Sequence, residues 1–226
     1  MGDPRLRTMS KALPIAFAVI LSSHFVSPGA DLAPNSQQSA SVRYTSKDGT
    51  LRIEGRSPLH DFVVKGREIH GFIDAPLHFP DRPCQISGTS EEVIIAEVVV
   101  PVRSLKSIGH DGAHYSEHFD EIMYEKLGEQ TQPAIHFQLR SLRRVDGEPK
   151  RNLFTLTGQL AVGGRTNRIE SPVTITRIPG SQLRITGDVA IDPCDFSTPL
   201  LVTDGPVGRL RVQLIFDWTV EKTKVR

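Results

Sequence analysis

Between Leu210 and Val220 the chain reads LRVQLIFDWTV, with Leu210, Val212, Leu214, Phe216, Trp218 and Val220 on one side and mostly polar residues on the other. Two earlier segments repeat the pattern. Phe154, Leu156, Gly158, Leu160 and Val162 alternate with Thr155, Thr157, Gln159 and Ala161, while Leu183, Ile185, Gly187, Val189 and Ile191 alternate with Arg184, Thr186, Asp188 and Ala190. A period of two gives each strand one wet face and one dry face. Several such strands joined by short polar loops must bury their dry faces against each other, as a sandwich or as a closed barrel. A barrel of that kind can hold a ligand.

The 226 residues suit one β domain preceded by an N-terminal extension. Residues 1–30 read as a secretory signal peptide: Arg5, Arg7 and Lys11 precede the apolar run ALPIAFAVILSSHFV, and small residues lead to Ala30. The run falls short of the roughly 20 apolar residues that span a bilayer. The expected location is therefore periplasmic or secreted, with no transmembrane segment in the mature chain. Removing residues 1–30 takes away three bases and one acid, leaving 24 Lys+Arg against 25 Asp+Glu. With no basic cluster to neutralise phosphates, nucleic acid is not an expected partner.

Residues 31–40 have linker composition, the β domain is expected over 41–221, and 222–226 form a tail. Strands are expected at Val42–Thr45, Leu51–Gly55, Asp61–Lys65, Glu68–Ile73, Ile86–Ser87, Val93–Val100, Ala134–Leu142, Leu153–Val162, Arg168–Arg177, Gln182–Ile191 and Arg209–Val220. Turn chemistry separates them, including Lys47-Asp48-Gly49, Lys65-Gly66, Asp146-Gly147, Gly163-Gly164 and Pro179-Gly180. From Ser104 to Gln130 the spacing changes. Phe119, Ile122, Met123 and Lys126 fall on adjacent turns of a short helix from about Ser116 to Leu127, a helical excursion between strands. The fold class is thus all-β, an antiparallel barrel with one short helix.

Cys84 and Cys194 are the only cysteines. Export would allow them to pair, closing a loop of about 110 residues worth roughly 4–5 kcal/mol in the chain-entropy model. Two buried free thiols in a β core are the other reading. His110, His114 and His118 fall at i, i+4 and i+8, a spacing that on a continuous helix could hold a divalent ion with Glu117 or Asp120 in support. Gly109 and Gly112 weaken such a helix, and a solvated loop leading into a helix start is the plainer reading. His60-Asp61 is not expected to act as an acid–base pair, because adjacent strand residues face opposite ways. No nucleophile elbow, phosphate loop or dinucleotide fingerprint occurs.

Three stretches resemble the YceI-like family of exported, lipocalin-like barrels. They are Ile53-Glu54-Gly55-Arg56-Ser57-Pro58-Leu59-His60-Asp61-Phe62; Met123-Tyr124-Glu125-Lys126-Leu127 with Gln132-Pro133-Ala134-Ile135-His136-Phe137; and Leu156 to Thr166. Cys194-Asp195-Phe196 ahead of a final strand fits the same plan, and the likeness extends from about Ser41 to Val220. Asp192-Pro193-Cys194 departs from the pattern, and Pro193 is expected to interrupt strand pairing. The resemblance implies an apolar channel holding a polyisoprenoid, a prenyl quinone or a related lipid. It also implies binding and carriage with no catalysis, no cofactor and no catalytic residue to carry across.

The expected lining is Phe137, Leu156, Gly158, Leu160, Leu214, Phe216 and Trp218, and Gly158→Leu is expected to block the channel within a folded barrel. Two rival functions stand beside this one: a metal-assisted enzyme built on His110, His114 and His118, and an envelope-stress interaction module whose barrel is plugged. Oligomeric state is open.

Overall fold

Ten strands and one helix make up the described part of the chain. The computed structural model describes residues 41–56, 61–81, 94–145, 152–196 and 211–223, all within one compact unit spanning Gln38–Arg226. In chain order the elements are β1 (Ser41–Arg56), β2 (Asp61–Gly66), β3 (His70–Pro76), β4 (Ile95–Pro101), β5 (Leu105–Ile108), α1 (Glu117–Lys126), β6 (Ala134–Arg144), β7 (Leu153–Val162), β8 (Arg165–Ile178), β9 (Gln182–Ile191) and β10 (Arg211–Lys222). Short 3-10 turns follow β4 at Val102–Ser104 and β9 at Pro193–Phe196. The signal peptide, the linker, Cys84, His60, Leu210 and the strand expected at Ile86–Ser87 lie outside the described residues, so the cysteine pairing is left where the sequence leaves it.

Every strand pairing is antiparallel. The order β10-β9-β8-β7-β6-β4-β3-β1 closes on itself through β1 and β10, giving an eight-stranded barrel. Closure is long: β1 and β10 stay in register from Tyr44↔Lys222 to Arg56↔Arg211, with one irregularity between Ser46 and Asp48. The other edge of β1 is shared. Its first five residues pair with β3 and its last six with β2, which in turn pairs with β5. β2 and β5 therefore form an annex where β1 and β3 part company.

Several sequence expectations change on contact with this register. The two strands expected at Val42–Thr45 and Leu51–Gly55 are one strand, because Lys47-Asp48-Gly49 forms a β-bulge rather than a turn. The extra residue reverses the alternation: Val42 and Tyr44 point inward before it, Gly49 and Leu51 after it. A second bulge between Leu139 and Ser141 does the same in β6, moving the inward positions from Phe137 and Leu139 to Leu142. β5 was not anticipated within the helical excursion. β3 begins at His70 and runs on to Pro76, and β10 extends to Lys222, the first residue assigned to the tail. Pro193 stops strand pairing as expected, with β9 ending at Ile191.

The helix forms where the spacing places it. Ser116 is its N-cap and accepts a hydrogen bond from the Phe119 amide at 3.3 Å; Leu127 is its C-cap. Its buried face holds down the free edge of β5. Asp120 accepts from the Ser107 backbone N–H at 2.8 Å, and the Tyr124 hydroxyl donates to the Leu105 carbonyl at 2.7 Å. The helix thus supplies side-chain partners to a strand edge that would otherwise present bare backbone.

Asp120 is almost fully buried, with His114 Nε2 at 2.7 Å and Lys106 Nζ at 3.4 Å from its Oδ2. Burial alone would push this carboxyl up. Hydrogen bonds to its ionised form from Ser107, His114 and Lys106 outweigh that, and its pKa lies below the ordinary aspartate value. A depressed folded-state pKa contributes stability that is present above the unfolded value, about 3.9, and lost as pH falls through the folded one. Asp120→Asn is accordingly expected to lower the urea midpoint at pH 6–7, with the gap to wild type closing as pH drops below about 4. Denaturation followed by circular dichroism across that range measures it.

Candidate functional site: an apolar channel

The inward stripes of the barrel do not meet. They enclose a cavity of about 220 Å³ with walls from β1, β3, β4 and β6 to β10. On β10 the lining runs from Val212 to Trp218, six residue steps or roughly 20 Å along the strand. Among the described residues Ser171 is the one polar side chain in the wall. Its hydroxyl is already committed to backbone carbonyls, Asp188 at 2.9 Å and Pro172 at 3.0 Å. The channel therefore offers hydrocarbon contact almost alone. Ile53, Val98, Ile135, Leu139 and Leu214 are only partly buried although they point inward, since part of each surface faces the cavity.

Phe79 closes one end. It is almost wholly buried, lines the cavity, and packs its ring against Phe154 with centroids 5.8 Å apart. Arg177 fastens the turn that carries it, pairing with Asp81 at 2.9 Å and donating to the Phe79 carbonyl. Around it Tyr44, Ala75, Val173, Leu183 and Val220 are packed solid. At the opposite end Leu127 at the C-cap of α1 and Phe196 in the second 3-10 turn reach into the lining beside Val162, Ile169 and Ile191.

Six of the seven residues expected to line a channel do face the cavity: Phe137, Leu156, Leu160, Leu214, Phe216 and Trp218. Gly158 does not reach it, because the Phe137 ring lies over it. A Cβ at Gly158 would stand 2.1 Å from that ring and 2.7 Å from the Gln138 carbonyl oxygen. A similar arrangement recurs at Gly187 under Phe216, its direct partner in the ladder, whereas a Cβ at Gly49 would meet Ile69 at 3.0 Å before Trp218 at 3.2 Å. Missing side chains let large rings lie flat along the wall instead of standing across the interior. The Trp218 indole N–H, which would otherwise be buried without a partner, donates to Ser46 Oγ at 3.0 Å at the β1 bulge.

Phe79, Leu127 and Phe196 lie outside any alternating stripe, so sequence periodicity missed them. Glycines on an apolar stripe opposite aromatics were the legible signal for the laid-down rings. The histidine series does not assemble: His110 sits in a turn, His114 bridges to Ile108, and His118 lies in the first turn of α1. His114 is engaged with Asp120, and no group of three or more His, Cys, Asp or Glu among the described residues is arranged to hold a metal. No described helix is long and apolar enough to cross a membrane.

Comparison with solved structures places this architecture. A polyisoprenoid-binding domain from Saccharophagus degradans superposes with a TM-score of 0.55 at 11% identity, covering 80% of this chain and 99% of that one. The chain shares the fold of that domain. BcnA of Burkholderia cenocepacia superposes with a TM-score of 0.53 at 14% identity, over 76% of this chain and 95% of its own. The lipocalin-like barrel that the YceI-like resemblance implies is thus the fold observed. No protein-family model and no curated protein matches the sequence.

Replacing Gly158 now has a different expected outcome from simple blockage. Even Gly158→Ala must displace Phe137 or the β6 backbone, and overpacking of this kind costs about 1–3 kcal/mol. Combining it with Phe137→Leu is expected to recover the part due to the ring, while the contact with the Gln138 carbonyl oxygen remains. A double-mutant cycle on denaturant midpoints reads the coupling.

Proposed function

We propose that this protein is a YceI-like lipid carrier, binding a long-chain amphiphile of the polyisoprenoid type in its channel without chemically altering it. The observation that carries the proposal is the wall itself, apolar along its length apart from one serine whose hydroxyl is spent on backbone. Such a site has nothing with which to orient a polar solute. It is well matched to hydrocarbon, each buried CH₂ contributing about 0.8 kcal/mol. A shared fold with a polyisoprenoid-binding domain supports the same reading. The contact residues in this reading are Phe137, Leu156, Leu160, Leu214, Phe216 and Trp218, with Gly158 acting through the Phe137 ring. We place the carrier in the periplasm or outside the cell, delivered by residues 1–30.

Mass spectrometry of an organic extract tests the proposal, using protein purified without detergent from the envelope fraction of its native host. A near-stoichiometric long-chain species is the expected result, and a folded protein without lipid would overturn it. Leu214→Trp fills the middle of the channel from a position that keeps the strand pairing. The variant is expected to retain the β-sheet dichroism and to lose most of the extracted lipid.

A further inference from the structure

The barrel wall is not continuous. β8 pairs with β7 from Leu153↔Thr174 to Val162↔Arg165, but its ladder with β9 runs only from Ile178↔Gln182 to Val173↔Gly187. Beyond that point β8 residues 165–172 and β9 residues 188–191 keep their other partners, β7 and β10, and do not pair with each other. The separation begins at Pro172, which has no N–H to donate, and the Ser171 hydroxyl reaches across to the Asp188 carbonyl where the ladder ends. Two backbone edges carrying N–H and C=O groups face each other across a slot.

This slot holds a second cavity, about 140 Å³ in volume, and it is polar where the channel is apolar. Asn167, Arg168, Glu170, Asp192 and Asp195 line it. Ile169, Val189, Ile191 and Phe196 belong to its wall and to that of the channel, so the two spaces adjoin. The Asn167 amide donates to the Asp195 carbonyl, holding the 3-10 turn that carries Phe196 over the junction. An apolar channel opening beside a polar recess has the layout required by an amphiphile: hydrocarbon in one, head group in the other.

We infer that the slot between β8 and β9 is the head-group site of the channel, and that it takes an uncharged hydroxyl or carbonyl head group in preference to a phosphate. The inference rests on the lipid-binding reading. Backbone donors and acceptors along the two edges, with the Asn167 amide, suit a hydroxyl, which gives and accepts hydrogen bonds, or a carbonyl, which accepts them. Among the described residues of the recess the carboxylates of Glu170 and Asp195 outnumber the Arg168 guanidinium, and a phosphate would enter it against like charge.

Geranylgeraniol and geranylgeranyl diphosphate carry the same chain and differ only at the head. Binding of each to the delipidated mature protein can be followed through Trp218, the single tryptophan and a channel residue. At low ionic strength the alcohol is expected to bind at least about tenfold more tightly, with the gap shrinking in 0.5 M salt as the carboxylates are screened. Glu170→Gln with Asp195→Asn should narrow the gap, and Arg168→Gln, which removes the cation among the described lining residues, should widen it. Equal affinities, tighter binding of the diphosphate, or a gap that none of these substitutions moves would overturn the head-group site while leaving lipid binding intact. Failure of both probes to bind the folded protein would overturn the lipid-binding reading itself.

Discussion

Closure of the sheet by β1 on β10 is the constraint on which the rest of the molecule depends. Until those strands pair, each alternating stripe is only the dry side of a curved sheet that needs a second layer. Once they pair, the stripes face one another and no second layer is needed. The ladder that achieves this extends over nearly the whole of both strands, from Tyr44 to Arg56. It also joins residues more than 150 positions apart in the chain, so the interior exists only when the two ends of the domain have come together.

Keeping that interior open is a separate problem, because eight strands leave only enough room for side chains or for one slender ligand. The channel solves it by subtraction. Gly158 and Gly187 provide the floor over which the Phe137 and Phe216 rings lie. Rings that would cross the barrel then become part of its wall. The end around Phe79 is packed solid at Tyr44, Val173, Leu183 and Val220, and the annex is packed likewise at Val64, Leu105 and Tyr124. The glycines cost some strand propensity, and the aromatic surface laid over them offsets part of that cost.

The annex shows how a barrel handles an edge that it cannot close. β1 is too long for one partner, so its second half takes β2, and β2 takes β5, leaving one exposed edge. α1 covers it with Asp120 and Tyr124, two side chains four residues apart and therefore on one helix face. The acid at this position, buried yet held ionised by its donors, is a structural fastener. That role also accounts for His114, which a metal reading would have used differently.

Regular periodicity was legible from residue order alone. β7 and β9 have the bounds their alternation indicates, and α1 was readable from Ser116 and the spacing of Phe119, Met123 and Lys126, since local backbone geometry dictates periods of two and 3.6. Fold class and the membership of each stripe follow from those periods. What the tertiary structure alone decided lies wherever the period breaks or where partners are distant. The β1 bulge resembled a turn because Lys47-Asp48-Gly49 has turn chemistry, and only pairing with β10 shows the strand continuing through it. β5 offers just two inward positions, too few for a period. Whether the interior is hollow depends on which rings meet which glycines across neighbouring strands, and the β8–β9 slot depends on where a ladder stops. Both are matters of register between strands, a property of pairs that no single segment contains.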